Sequence, residues 1–210
     1  MKVMLVNGSP NKEGCTYTAL SEVAKELNRE GIDTEIFWIQ NNPIGGCIAC
    51  KKCSILGKCV FDDVVNEFRL KSVDADGFVF GTPVHYAAAS GNMTAFMDRL
   101  FYSDSGQKNN TFRMKPATAV VSARRAGTTA AFEQMIKYFT IQEMPVVSAR
   151  YWNMVHGSNP EDVKKDIEGL NTMTELGRNM AYLLQCLEAG KKAGVKLPPS
   201  APKTYTNFIR

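Results

Sequence analysis

Residues 82–93, which read TPVHYAAASGNM, are the most informative segment of this sequence. They follow a short apolar run at 77–81 and precede a helical pattern at 93–101, which predicts a loop at the carboxyl end of a central strand. In open α/β sheets, ligands bind outside those strand ends. Small residues let a flat ligand approach the backbone closely, and His85 and Tyr86 offer aromatic faces for stacking. The segment therefore predicts one wall of a site for a flat ligand.

On both sides of this segment, strand and helix patterns alternate about five times. The predicted strands are 2–7, 32–40, 76–81, 116–121 and 145–151. The predicted helices are 16–30, 62–71, 93–102, 127–139 and 161–188, the last with a bend at Gly169 or Gly177. Such alternation predicts an α/β fold with a doubly wound parallel sheet and right-handed crossovers.

Length and composition restrict the function. The chain has 210 residues, of which 44% are hydrophobic, so we expect one domain at residues 1–190 and an extended tail at 191–210. There is no apolar run of about 18 residues, and the apolar start is too short for a signal peptide, so we expect a cytoplasmic protein with no membrane partner. The net charge of +4 comes without a basic stripe, which argues against nucleic-acid binding.

A second loop, residues 8–17, joins the first predicted strand to the first predicted helix. Backbone N–H groups at a helix N-terminus and the helix dipole favour a phosphate, and Ser9, Asn11 and Thr16 add hydroxyl or amide donors. The loop matches neither the Gly-x-Gly-x-x-Gly pattern of dinucleotide folds nor the P-loop. An ordinary strand-to-helix turn with Thr16 as its N-cap explains the same residues.

Three motifs carry a family resemblance: GSP and CT within 8–17, TPVHY and FMDR within 82–99, and VSARRAG at 121–127. In these motifs the chain resembles the flavodoxin-like flavin reductases, the NADPH-dependent FMN reductase group. The first is similar to that family's phosphate loop, the second to its Pro-x-Tyr loop and Lys-x-Phe-x-Asp-Arg helix, and the third to its third flavin loop. The resemblance covers roughly residues 1–190. It departs at His85, where most members have Tyr, and at Thr94, where many have a Leu-Lys pair nearby.

The resemblance implies a flavodoxin-like, five-stranded sheet of order 2-1-3-4-5 with helices on both faces, and FMN as cofactor. The cofactor-binding residues that it implies are Ser9, Asn11, Cys15, Thr16, Tyr17, Pro83, Val84, His85, Tyr86, Ser122, Arg124, Arg125 and Gly127. Arg124 or Arg125 would stabilise negative charge on the reduced ring, although a solvated surface turn explains the two arginines almost as well. Because flavin N5 carries the hydride chemistry, no catalytic side chain is expected.

Four of the six cysteines, Cys47, Cys50, Cys53 and Cys59, have the spacing C-x2-C-x2-C-x5-C. In a cytosolic protein such clustering favours metal or redox chemistry, and four thiolates suit a [4Fe–4S] cluster. The motif looks like that of the iron–sulfur flavoproteins, a branch of the same reductase group. A zinc site in a binding module, a disulfide and cysteines without metal remain alternatives. We expect the cysteines at the same sheet edge as the flavin loops, and Cys186 in the core.

Together these observations predict an FMN-dependent oxidoreductase that passes electrons from NAD(P)H, its co-substrate, to a flavin, quinone or other small-molecule or protein acceptor. One alternative is an iron–sulfur flavoprotein that accepts electrons from ferredoxin through a [4Fe–4S] cluster. Another is a non-catalytic FMN-binding carrier or sensor, although the net charge of +4 is unlike the acidic flavodoxins.

We also expect a homodimer or homotetramer. The apolar stripe within 93–101 is predicted to pack either on a partner subunit or on its own sheet. The apolar end of the tail, 204–210, is predicted to dock on its own or a neighbouring subunit.

Overall fold

The computed structural model describes residues 1–105, 110–201, 206 and 208. Its strands are β1 (Lys2–Asn7), β2 (Asp33–Trp38), β3 (Gly77–His85), β4 (Ala88–Ala89), β5 (Ala117–Ala123) and β6 (Met154–His156). Its helices are α1 (Cys15–Arg29), α2 (Cys53–Leu56), α3 (Val64–Lys71), α4 (Gly91–Ser105), α5 (Thr128–Ile141), α6 (Pro160–Val163) and α7 (Ile167–Lys192).

The strands form one sheet in the order β2-β1-β3-β5-β6, with all of these pairs parallel. The predicted flavodoxin-like class and the order 2-1-3-4-5 are confirmed for these five strands. The sheet has a sixth strand, because β3 continues past Gly81 to His85 and folds back as a hairpin onto β4. The segment 82–93, predicted as a loop, is therefore partly strand.

Helices cover both faces of the sheet because its central strands are apolar on both sides. On one face, α3, α4 and α5 enclose a core in which Phe68 contacts the rings of Phe78, Phe80 and Phe96 at centroid distances of 6.3, 6.2 and 5.5 Å. The apolar stripe of α4 is buried in this core, so it packs on its own sheet. On the other face, α1 and α7 enclose a second core.

The predicted strand 145–151 is wrong in position. Val146 forms only an isolated bridge to Ala117, and the regular strand β6 starts at Met154. The chain leaves the sheet between these points and returns at Asn153, whose buried amide donates to Oγ1 of Thr118 at 2.8 Å. This side-chain contact comes from tertiary structure and leaves no apolar pattern in the sequence.

The predicted helix 161–188 is divided into α6 and α7. The break lies at Asp166, whose carboxylate caps α7 by accepting from the N–H of Gly169 at 2.9 Å. Helix α7 continues without a break through Gly169 and Gly177, the two positions at which a bend was predicted. Gly177 serves packing instead: a Cβ there would lie 3.0 Å from the carbonyl oxygen of Val23 in α1.

Helix α7 ends at Lys192, just inside the predicted tail. The carbonyl of Pro198 accepts a 3.0 Å hydrogen bond from Nη2 of Arg113, so this part of the tail contacts its own chain. Residues 202–205, 207, 209 and 210, which include most of the segment predicted to dock, lie outside the described residues. None of the helices described is both long enough and apolar enough to cross a membrane.

Candidate functional site

Loops that follow neighbouring strands meet at the carboxyl edge of the sheet and surround an open groove of about 270 Å³. Nine predicted cofactor-binding residues line it: Ser9, Asn11, Cys15, Thr16, Pro83, Val84, His85, Ser122 and Arg124. They meet there because β1, β3 and β5 are adjacent and parallel, which brings their carboxyl ends to one place.

The loop after β1 is held in shape by its own side chains. Asn7, buried at the end of β1, accepts from the N–H of Ser9 at 3.0 Å and donates to the carbonyl of Lys12 at 2.8 Å. The carbonyl of Ser9 accepts from Nε1 of Trp38 at 2.8 Å. A loop ordered in this way loses little conformational entropy when a ligand binds.

Helix α1 begins at Cys15 with Gly14 as its N-cap, so the alternative with Thr16 as N-cap is wrong. Thr16 lies in the first turn, fully buried, and its Oγ1 is 2.8 Å from Oγ of Ser122 on β5. Because Gly14 has no side chain, no side-chain cap occupies the first N–H groups of α1 at the groove. These donors and the helix dipole suit a phosphate.

The β3–β4 hairpin forms a second wall of the groove, lined by Pro83, Val84 and His85. Tyr86 occupies the hairpin turn with φ at 57°, and its side chain is fully exposed outside the groove lining. Gly127 also lies outside the lining. It is the N-cap of α5 with φ at 91°, and a Cβ there would lie 2.9 Å from Cγ1 of Val84. Gly127 therefore supports the hairpin from behind.

The two arginines after β5 take different positions. Both are exposed, but only Arg124 lines the groove, whereas Arg125 does not. Tyr17, half-buried on α1, is also outside the lining. Arg124 therefore brings a positive charge to the groove.

Sequence reasoning missed Gly157 and Ser158, which follow β6 and line the groove opposite the hairpin. The Sγ of Cys15 donates to the carbonyl of Gly157 at 3.6 Å. Burial raises the pKa of the Cys15 thiol, which favours the neutral form that donates this bond. The carboxyl end of the last strand was the available signal, but the prediction placed that strand several residues too early.

The four clustered cysteines line a second, much smaller cavity of about 20 Å³. This volume is about what one water molecule needs. Cys53, at the start of α2, is buried and Cys59 is half-buried, whereas Cys47 and Cys50 are exposed. The fold thus brings all four predicted metal ligands to one place. Cys186, predicted as a core residue, is exposed on α7.

The segment that carries the four cysteines, residues 44–59 (the cysteine segment), starts at the carboxyl edge of the sheet but runs along α4 away from it. Its start is fixed by Asn92, whose Oδ1 accepts from the N–H of Ile44 at 3.3 Å. The cavity is lined further along α4, by Arg99, Tyr102 and Ser103. Arg99 is about 12 Å along the helix axis from Gly91, at 1.5 Å per residue. The sequence predicted that the cysteines lie at the same sheet edge as the flavin loops. The structure places the cysteine cavity away from that edge.

Arg99 reaches into this cavity with only 1% of its surface exposed. Its Nε–H donates to Sγ of Cys59 at 3.2 Å, and its two Nη groups donate to the two carboxylate oxygens of Asp63 at 2.7 and 2.8 Å. Asn66 holds the backbone: its Oδ1 accepts from the N–H of Cys59, and its Nδ2 donates to the carbonyls of Cys59 and Phe61. Cys59 is therefore fixed through both side chain and backbone.

In the part of the chain that the structure describes, no three Cys, His, Asp or Glu side chains are arranged to hold a metal ion. The donor chemistry nevertheless fits a [4Fe–4S] cluster, because four thiols line one cavity in a segment that is largely exposed. Burial is the largest cause that raises the pKa of the Cys53 thiol, and its neighbours Cys50 and Cys59 act in the same direction.

The Asp-Arg pair of the family-like helix does not line the groove. Asp98 accepts a 2.5 Å hydrogen bond from the hydroxyl of Tyr138 on α5, while Arg99 points to the cysteine cavity. Burial and this hydrogen bond both raise the pKa of Tyr138, which stays a neutral donor. The pair thus joins α4 to α5 on one side and to the cysteine segment on the other.

Known proteins resemble this chain over most of its length. The model of the family described as NADPH-dependent FMN reductase matches residues 1–159. An iron–sulfur flavoprotein of Methanocaldococcus jannaschii is 32% identical over 194 residues, which are 90% of this chain and 100% of the relative. An iron–sulfur flavoprotein of Methanosarcina thermophila is 27% identical over 198 residues, 91% of this chain and 99% of the relative.

Solved structures share the fold. The crystal structure of RosB with bound 8-demethyl-8-formylriboflavin-5'-phosphate has a TM-score of 0.71 at 14% identity, over 100% of this chain and 92% of that one. A flavodoxin from the domain Archaea has a TM-score of 0.59 at 14% identity, over 88% and 99% of the two chains. With the family match and the full-length relatives, the chain belongs to the NADPH-dependent FMN reductase family, in its iron–sulfur flavoprotein branch, and is an FMN-binding oxidoreductase.

Proposed function

We propose that this oxidoreductase holds FMN in the groove and a [4Fe–4S] cluster on Cys47, Cys50, Cys53 and Cys59, and that it accepts electrons from a ferredoxin-type protein. The observation that carries the proposal is the convergence of all four cysteines on one cavity, in a chain whose relatives are iron–sulfur flavoproteins. When bound, FMN supplies one- and two-electron transfer and the cluster supplies one-electron transfer.

The groove offers each part of FMN a matching surface. The first N–H groups of α1, with Ser9 and Thr16, would bind the phosphate, since they provide donors at a positive helix end. The half-buried Pro83 and Val84 would pack against the ring, because a flat apolar ligand favours a concave apolar wall. Arg124 would stabilise negative charge on the reduced ring.

The charge around the cysteine cavity supports a protein donor. Lys51, Lys52 and Lys58 are exposed in the cysteine segment, and such a cluster attracts small acidic electron carriers. The second candidate donor is NAD(P)H. It is supported by the family match and by Arg124, which offers the open groove a positive charge for an anionic nucleotide.

Anaerobic purification tests the cofactors. We expect a visible spectrum of flavin with a broad iron–sulfur shoulder, one FMN, and about four iron and four sulfide per chain. Cys47→Ser and Cys50→Ser should lose iron and keep FMN, whereas Cys186→Ser, a change at an exposed cysteine outside the cavity, should keep both. Protein that binds FMN but no iron contradicts the cluster, and protein that takes up no FMN contradicts the flavin groove.

The donor is then identified by anaerobic stopped-flow mixing with reduced ferredoxin, NADPH or NADH. We expect ferredoxin to reduce the protein fastest, and Lys51→Glu with Lys52→Glu to slow it more at low than at high salt. Faster reduction by NADPH, unchanged in that double variant, supports the nicotinamide donor. Light scattering on the same preparation tests the predicted homodimer or homotetramer.

A further inference from the structure

We propose that Arg99 is a positioning residue of the cysteine site, which fixes the sulfur of Cys59 and raises the reduction potential of the cluster bound there. The inference rests on the proposed function, because it needs a cluster on the four cysteines. Arg99 is not a predicted cofactor residue, and it lies forty positions from Cys59 in the sequence.

The contacts of Arg99 favour a fixed guanidinium over a mobile surface charge. Its Nε–H donates to Sγ of Cys59, and its two Nη groups donate to the two carboxylate oxygens of Asp63. Nη1 also donates to the carbonyl of Gly45 at 3.3 Å. The guanidinium carbon lies 4.8 Å from the ring centroid of Phe61. Every side of the group is therefore held, and the direction of its bond to sulfur is set by the fold.

A fixed hydrogen-bond donor at a cluster sulfur changes the reduction potential of the cluster in a predictable direction. Reduction adds an electron, so a nearby positive charge and an N–H···S hydrogen bond stabilise the reduced form. The cavity is largely apolar around Arg99, since Phe61 and Val60 line it, and low local polarity strengthens the interaction. Asp63 carries the opposite charge at the far side of the guanidinium and lowers the same potential.

Arg99 and Asp63 are expected to shift the reduction potential of the cluster in opposite directions. This difference separates an electrostatic effect on the cluster from a purely structural role of the pair. Arg99→Gln removes the positive charge and the bond to Cys59, so we expect a more negative cluster potential and several-fold faster iron loss to a chelator. Asp63→Asn retains the N-cap of α3, because Asn also accepts from the N–H of Val65, and its side chain is partly exposed. Here we expect a less negative potential. If the pair only supported the fold, both variants would shift the potential in the same direction.

The experiment is an anaerobic redox titration of the purified protein, with iron, sulfide and FMN counted per chain. Arg113→Gln is the matched control, because it also removes an arginine charge, and Arg113 pairs with Glu143 and lies outside the cysteine cavity. We expect wild-type potential and iron content in this control. A wild-type potential in Arg99→Gln, or shifts of one sign in both variants, overturns the role of Arg99 and leaves the proposed function intact. If Arg99→Gln does not fold, the sign of the shift in Asp63→Asn still decides. Wild-type protein without iron overturns the cluster and this inference together.

Discussion

Oγ1 of Thr16 and Oγ of Ser122 lie 2.8 Å apart at the floor of the groove, and both side chains are buried. This contact joins the first turn of α1 to the carboxyl end of β5, so two of the groove's walls share one hydrogen bond. The pair therefore links the stability of the fold to the shape of the site.

Replacing Thr16 with Val keeps the shape of the side chain and leaves the buried hydroxyl of Ser122 without this partner. We expect the free energy of unfolding to fall by about 1–3 kcal/mol, the cost of an unsatisfied buried polar group. FMN should also bind more weakly, because the first turn of α1 loses its tie to β5. Urea denaturation and FMN titration measure the two effects.

The double variant Thr16→Val with Ser122→Ala provides the control for this pair. When both polar partners are removed, no hydroxyl is left unsatisfied, so stability should recover part of the loss. If the double variant loses the sum of both single losses, the two hydroxyls do not interact in solution.

Gly127→Ala tests the support of the hairpin. Left-handed backbone costs a residue with a side chain about 1–2 kcal/mol, and the new Cβ would also meet Cγ1 of Val84 at 2.9 Å. Gly194→Ala is the matched control, since Gly194 has φ at 86° and no atom of the described residues lies within 4 Å of a Cβ there. We expect both variants to lose stability, but only Gly127→Ala to weaken FMN binding, as measured by fluorescence titration.

Equal FMN affinity in the two glycine variants would mean that the hairpin adjusts without cost. In that case Gly127 would matter only for the backbone conformation of the turn into α5. That turn would then explain why a glycine stands in the family-like motif at 121–127.

The groove could be predicted because the residues that line it follow the predicted strands directly in the sequence. Small and polar residues follow the first, third and fourth parallel strands, and adjacent parallel strands place such residues at one edge. The prediction for Tyr86 failed. This side chain is exposed to solvent because β3 extends into a hairpin, which the alternation of strands and helices does not reveal. Gly157 was missed because the buried contacts of Asn153, rather than an apolar run, decide where β6 begins.

The cysteine site shows the same limit. The spacing of the four cysteines predicts that they converge, and they do. Arg99 contacts Cys59 because α4 packs against a segment some forty residues earlier in the sequence. No local sequence pattern predicts this packing. The Asp-Arg motif was visible in the sequence, but its partners, Tyr138 and Cys59, were not.

Acid should weaken the fold through Glu35. Hydrogen bonds from Lys2 at 2.7 Å and Lys71 at 2.9 Å hold the pKa of this carboxyl below its usual 4.5. A carboxyl with a lowered folded-state pKa stabilises the protein fully above its unfolded pKa, and the stabilisation is lost as pH falls through the folded value. The effect should be small, because all three side chains are partly exposed.

Glu35→Gln isolates this contribution. We expect the variant to be less stable than the wild type near pH 7 and the difference to shrink steadily below pH 4.5, as measured by thermal unfolding at each pH. Glu188→Gln, which removes a carboxylate from a single exposed i,i+4 pair, is the control and should show a smaller difference at every pH. A difference that grows towards low pH would contradict the assigned direction of the pKa.

Asn66 should matter more than any exposed polar residue of the cysteine segment. It is 5% exposed, and its amide makes three hydrogen bonds of 2.8–3.0 Å to the backbone of Cys59 and Phe61. Asn66→Ala leaves these backbone groups without their partner, so we expect a loss of about 1–3 kcal/mol in the free energy of unfolding. Limited proteolysis should cut the cysteine segment faster, while Asn171→Ala, at an exposed position of α7, should leave both measurements unchanged. Unchanged proteolysis in Asn66→Ala would show that Arg99 and its bond to Cys59 hold the segment on their own.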